Sequence, residues 1–159
     1  MTAPRSSQAC GVVTLREVLP EDLPSFYTYQ ADPEAHRLAA VEPRDRQAHY
    51  THWQHIMGDD TSIARAILLD GEIAGNVLCF GQPEDRQVGY WIARAYWGRG
   101  IATRALSLFL AELHERPLYA HVAEHNAASI RVLEKCGFSR IGEPVVAPDG
   151  ITELRLRLS

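Results

Sequence analysis

Two glycines flank an arginine directly ahead of a run of helix formers, in Trp97-Gly98-Arg99-Gly100-Ile101-Ala102-Thr103 followed by RALSLFLAELHER. A strand that runs through glycines into a helix leaves the first amide hydrogens of that helix without partners, with the positive end of the helix dipole behind them. Such a junction attracts anions, phosphate above all. Gly98 and Gly100 permit close backbone approach and positive φ, and Arg99 adds a mobile positive charge. No Gly-Lys-Ser/Thr ends the loop, and its glycines are not spaced as GxGxxG, so a triphosphate or a dinucleotide is disfavoured. A plain turn joining strand to helix would read the same on this stretch alone.

Other residues carry chemistry by type. Asn126 caps the segment AASIRVLEKC, which Gly137 closes, and Ser129 falls in its first turn. A serine there also commonly bonds backbone amides. His121 lies on a short strand, and Glu124 and His125 stand just before the cap. His49, His52 and His55 recur every third residue, whereas helical ligand pairs share a face best at i, i+4. With no carboxylate or cysteine partner evident, they are expected on a polar helix face rather than at a metal. Cys10, Cys79 and Cys136 are widely spaced and form no CxxC, so neither a disulfide framework nor a thiolate metal site is expected. No G-x-S-x-G elbow is present for Ser/His/Asp hydrolysis.

The elements that position these residues follow from periodicity. Val13 and Leu15 alternate with Thr14 and Arg16, a first strand over residues 12–17. A short helix is expected over residues 24–30 and a second over DRQAHYTHWQHIM, closed by Gly58. Two strand-like runs surround Asp70-Gly71, a pair that supplies the positive φ of a tight hairpin. QVGYWIA is the next strand, followed by the glycine loop and a helix over residues 101–115 with Ala102, Ala105, Leu106, Phe109 and Leu113 on one face. In RPLYAHV, Leu118, Ala120 and Val122 share a face opposite Tyr119 and His121. FSRIGEPVV and ITELRLRLS form the last strands around the turn APDG. The order β-α-α-β-β-β-α-β-α-β-β implies an α+β sheet with helices on its faces.

Length and composition bound the rest. The 159 residues, 46% hydrophobic and 23% charged, suit one domain over residues 11–159 after a flexible lead-in of residues 1–10. The longest apolar runs fall short of the roughly 18 residues of a membrane span, and MTAPRSSQAC lacks the apolar core of a secretory signal. A cytoplasmic location is the default expectation, with no membrane partner. The net charge of −4 argues against nucleic acid and leaves room for a cationic or amine substrate.

The segments GYWIARAYWGRGIATRAL and AEHNAASIRVLEKCGF, together spanning residues 88–138, resemble the GNAT superfamily of N-acetyltransferases. Within it they resemble the branch that includes ribosomal-protein N-terminal acetyltransferases. The resemblance implies a mixed, mostly antiparallel twisted sheet flanked by helices, with splayed central strands. It implies acetyl-CoA as co-substrate, no metal, and an amine acceptor, either a protein N-terminus or a small molecule. The amides of Gly98, Arg99, Gly100, Ile101, Ala102 and Thr103 would wrap the pyrophosphate, with Trp97 at the loop's start, a position often Gln or Arg in the family. Ile92 and Arg94, on a bulged strand, would offer backbone groups to the pantetheine arm, and the Ile92 amide would face the thioester oxygen. Asn126 and Ser129 match the family's N-x-x-S and would contact the same arm. Many members carry a tyrosine acid where Leu133 stands here, so Ser129 is the nearest group able to protonate the leaving sulfur, and His121 is the candidate base. A non-catalytic acyl-CoA-binding sensor or interaction module is the competing reading, and a phosphate-binding domain unrelated to CoA is a third. A homodimer is a common state for soluble enzymes of this size.

Overall fold

Asp70 and Gly71 take φ of 51° and 84°, the conformation that their short side chains tolerate and that a two-residue hairpin needs. They join β2 (Ile63–Leu69) to β3 (Glu72–Phe80) in the computed structural model, which describes residues 11–159. The expected lead-in of residues 1–10, including Cys10, lies outside the described residues.

Seven strands form one sheet: β1 (Val13–Glu17), β2, β3, β4 (Gln87–Ile92), β5 (Leu118–Ala123), β6 (Ser139–Val146) and β7 (Thr152–Leu158). Their order is β1-β2-β3-β4-β5-β7-β6, antiparallel at every junction except β4 with β5. The α-helices are α1 (Leu23–Ala31), α2 (Pro33–Ala39), α3 (Arg46–Gly58), α4 (Ile101–Glu112) and α5 (Ala127–Lys135). The expected α+β architecture is therefore present, with one helix more than the periodicity gave. That helix, α2, follows α1 after a single residue, Asp32, whose carboxylate accepts from Glu34 N–H at 3.0 Å while Pro33 takes the first helical position. Pro33 here starts a helix instead of ending one.

Strand alternation decides which helix covers which face. Val77, Val88, Ile92, Ala120 and Val122 pack with Ile101, Ala105, Leu106 and Phe109 of α4 and with Ile130 and Leu133 of α5. The opposite face meets α1 and α3 through Phe26, Trp53, Ile56 and Ala66. His49 belongs to this second cluster's surroundings and corrects the expectation of a polar helix face. It is 1% exposed, with Nε2 2.9 Å from Leu23 O and its ring edge-on to Tyr27 and Tyr50. Its turn of α3 faces α1, not water. Burial also pushes His52 down to about 4. Among the described residues no cluster of metal-ligating side chains occurs.

Gly75 pairs with Ile92, with the β4 backbone close against it. A Cβ built there would lie 2.1 Å from the Trp91 carbonyl oxygen. Gly75→Ala is expected to cost about 1–3 kcal/mol through forced separation of the strands, lowering Tm by roughly 3–10 °C at this length. Calorimetry reads it directly, and an unchanged Tm would show that the two backbones can part freely.

Candidate functional site

β4 and β5 run parallel yet pair only at Gln87 with Tyr119, where Tyr119 N–H donates to Arg86 O at 2.8 Å. Beyond that point residues 88–92 and 120–123 line the two walls of a cleft of about 530 Å³. The expected bulge in β4 is absent: its register with β3 runs unbroken from Phe80–Gln87 to Gly75–Ile92. The one irregularity on that side falls between β2 and β3, at Ile67/Leu68. The gap therefore opens because β5 departs, not because β4 kinks. Ala93 N–H donates to Ala74 O at 2.9 Å, so ladder alternation turns the N–H groups of Tyr90 and Ile92 away from β3 and into the gap. These are backbone donors with an open side.

The cleft runs to the start of α4. Gly98 and Gly100 have φ of 76° and 73°, with open space where a Cβ would be. Gly100 is the N-cap and lends no side chain, so the amides of Ile101, Ala102 and Thr103 precede the first intrahelical bond, Arg104 N–H to Gly100 O at 3.2 Å. Arg104 also reaches back with its guanidinium, donating to Arg99 O at 3.2 Å and Gly11 O at 3.0 Å. Its Nε also meets the Gly100 carbonyl at 3.4 Å, so one side chain ties two loop carbonyls. Trp97 spends its indole N–H on Ile92 O at 2.8 Å, tying the loop to the end of β4. Arg99 lies over the Tyr96 ring, 5.7 Å from its centroid. Arg94 is placed differently from the expectation. It starts a 3-10 turn, Arg94–Tyr96, after β4; its carbonyl accepts from Trp97 N–H at 3.1 Å and its guanidinium pairs with Asp32 at 2.9 Å.

Asn126 and Ser129 stand on the opposite wall. Asn126 Oδ1 accepts from Ser129 N–H at 3.2 Å, which leaves the Asn126 amide nitrogen for the cleft that the residue lines. Ser129 Oγ meets Tyr90 Oη at 2.6 Å. Leu133, one turn further along α5, is 2% exposed and part of the core. His121 lines the cleft on the other side of the sheet, with Nδ1 3.1 Å from Glu153 Oε1 of β7. Ala35 and Leu38 of α2 and Trp91, whose indole donates to Tyr29 O at 3.2 Å, border that same end. The cleft thus passes through the sheet, from the α4 start on one face to α2 on the other.

Tyr90, Arg104 and Glu153 were not legible as site residues in the sequence. For Tyr90 the signal was parity: Val88, Tyr90 and Ile92 must share the helix-covered face. Nothing local marks Glu153, because it reaches His121 only through β5–β7 pairing, where Ala123 stands opposite Glu153.

A family model for the acetyltransferase (GNAT) domain matches residues 13–139. The probable N-acetyltransferase YjcK of Bacillus subtilis (strain 168) is 36% identical over 81 residues, covering 46% of this chain and 45% of that protein. The match thus spans less than half the length of that relative. The spermidine N-acetyltransferase from Vibrio cholerae, solved with CoA and spermine, superposes with a TM-score of 0.82 at 18% identity, covering 92% of this chain and 94% of that one. The aminoglycoside acetyltransferase AAC(6')-Ib, solved with coenzyme A and kanamycin, gives 0.76 at 19% identity over 93% and 95%. At such identities the likeness speaks for the fold.

Proposed function

Because the chain belongs to the GNAT acetyltransferase family, we propose that it transfers an acetyl group from acetyl-CoA to a primary amine, by direct attack in a ternary complex. The observation that carries this reading is the gap between β4 and β5 that ends at the uncapped start of α4. A diphosphate fits the open amides of residues 98–103, and a thin amide-bearing arm fits between strands whose inward N–H groups lack a neighbour. Bound acetyl-CoA supplies the thioester, whose carbonyl carbon forms a C–N bond with the amine as its C–S bond breaks.

The chain's own residues then have definite tasks. The Ile92 N–H, aimed into the gap, stabilises the negative charge that develops on the carbonyl oxygen. His121, its Nδ1 fixed by Glu153, takes the amine's proton at Nε2. Ser129 donates a hydrogen bond to the departing sulfur. Holding the two substrates in line contributes up to roughly 7–11 kcal/mol, so modest acid and base groups suffice. The acceptor is a protein N-terminus or a small-molecule amine; the resemblance of residues 88–138 to ribosomal-protein N-terminal acetyltransferases supports the first, and the spermine and kanamycin complexes of the structural relatives support the second.

Leu133 in place of a tyrosine favours a second reading, a non-catalytic acyl-CoA sensor. Thiol release separates the two. With a panel of amines and peptides, the enzyme liberates CoA, whereas a sensor gains thermal stability from acetyl-CoA without liberating any. Equal stabilisation by ATP and by acetyl-CoA would overturn both in favour of a general phosphate site. Glu153→Gln is expected to reduce kcat/KM for the amine roughly 5–10-fold, a part of what a general base contributes, with the acetyl-CoA dissociation constant unchanged. Unchanged kcat/KM would remove the His121–Glu153 pair from catalysis.

A further inference from the structure

Tyr90 stands in the cleft with no part in the chemistry above. Its ring packs on the core face of β4, across from Val77 of β3, which fixes the position of the hydroxyl. That hydroxyl lies 2.6 Å from Ser129 Oγ, at the short end of O–H···O bonds. Of the two groups the phenol, with a pKa of about 10 in water, is the stronger acid and the better donor. The backbone N–H of Ser129 is already bonded to Asn126 Oδ1. We propose that Tyr90 is a positioning residue for Ser129: its phenol donates to Ser129 Oγ and so turns the serine's own hydrogen into the cleft.

This inference rests on the reading of Ser129 as donor to the leaving sulfur, and it explains why a serine in a helix's first turn serves the cleft instead of the backbone. Asn126 does the capping, and Tyr90 orients the hydroxyl. Burial pushes the Tyr90 phenol up to about 12. Tyr90 therefore keeps its proton across the working pH range and acts by orientation alone.

A double-mutant cycle with a spectroscopic arm tests it. Tyr90→Phe is expected to lower kcat roughly fivefold, the size of one hydrogen bond, with the acetyl-CoA dissociation constant and Tm little changed. In a Ser129→Ala background the same substitution should change kcat by less than about 1.5-fold, because the partner it acts through is gone. Equal losses in both backgrounds would overturn the proposal, since a packing role does not need Ser129. Independently, 3-fluorotyrosine placed at position 90 of the ligand-free protein should shift its fluorine resonance when Ser129 becomes Ala; an unmoved resonance would also overturn it. Should Ser129→Ala alone retain full activity, the catalytic reading of Ser129 falls, and the resonance still shows whether the two hydroxyls are bonded.

Discussion

Gly100→Asp weakens acetyl-CoA binding by roughly 100-fold. The carboxylate would stand at the N-cap of α4, beside amides expected to hold a diphosphate, and two like charges about 5 Å apart repel by roughly 3 kcal/mol at an effective dielectric near 20, or about 100-fold in affinity. Sterics contribute little, because a Cβ at Gly100 meets nothing within 4 Å. The φ of 73° does add strain for any side chain. Gly100→Asn separates the two effects: asparagine tolerates the left-handed conformation and carries no charge, so it should lose only a fewfold. Titration calorimetry at low and high salt reads both, and the Asp variant should recover partly as ions screen the repulsion. Equal affinities for the wild type and the Asp variant would place the diphosphate elsewhere.

Ser129→Ala is expected to lower kcat by roughly 100-fold, the upper range for a lost hydrogen bond to a charged group, while the acetyl-CoA dissociation constant changes by less than about threefold. The split follows from geometry. In the proposed reading the backbone amides at the uncapped α4 start would supply most of the binding, whereas Ser129 would meet the arm through a single hydroxyl. Leu133 cannot substitute, being apolar and buried. Fold and cap should survive, because the backbone N–H of residue 129 keeps its bond to Asn126. Stopped-flow detection of free thiol gives kcat, and a variant as fast as the wild type would remove Ser129 from the chemistry.

The parts of the fold that local chemistry dictates were legible in the sequence. Asp70-Gly71 announced a hairpin because few residues accept two positive φ angles in succession, and Asn126 and Gly137 bracketed α5 because a cap and a left-handed stop each need particular side chains. The alternation at Leu118, Ala120 and Val122 gave the buried face of β5. Two of the misses have the same cause, a dependence on contacts distant in sequence. His49 read as polar surface until α1 was packed against it. The splayed strands were expected, but the bulge given as their cause was not found: β5 leaves β4 after one pairing, which no residue in β4 signals. The third, α2, was hidden by Pro33, whose meaning reverses between a helix interior and a first turn. Within the site, the glycine loop and N-x-x-S were readable as motifs, whereas Arg104, Tyr90 and Glu153 gain their parts from carbonyls and hydroxyls brought near by folding.

A crystal structure of the protein grown with acetyl-CoA bears most directly on the anion loop and the parted strands. The expected density has the diphosphate within about 3 Å of the amide nitrogens of residues 98–103, the length of an N–H···O bond, and the arm lying between β4 and β5 with its thioester beside Ile92 and Ser129. Density for the ligand at any other surface, or a cleft that stays empty at saturating acetyl-CoA, would contradict it.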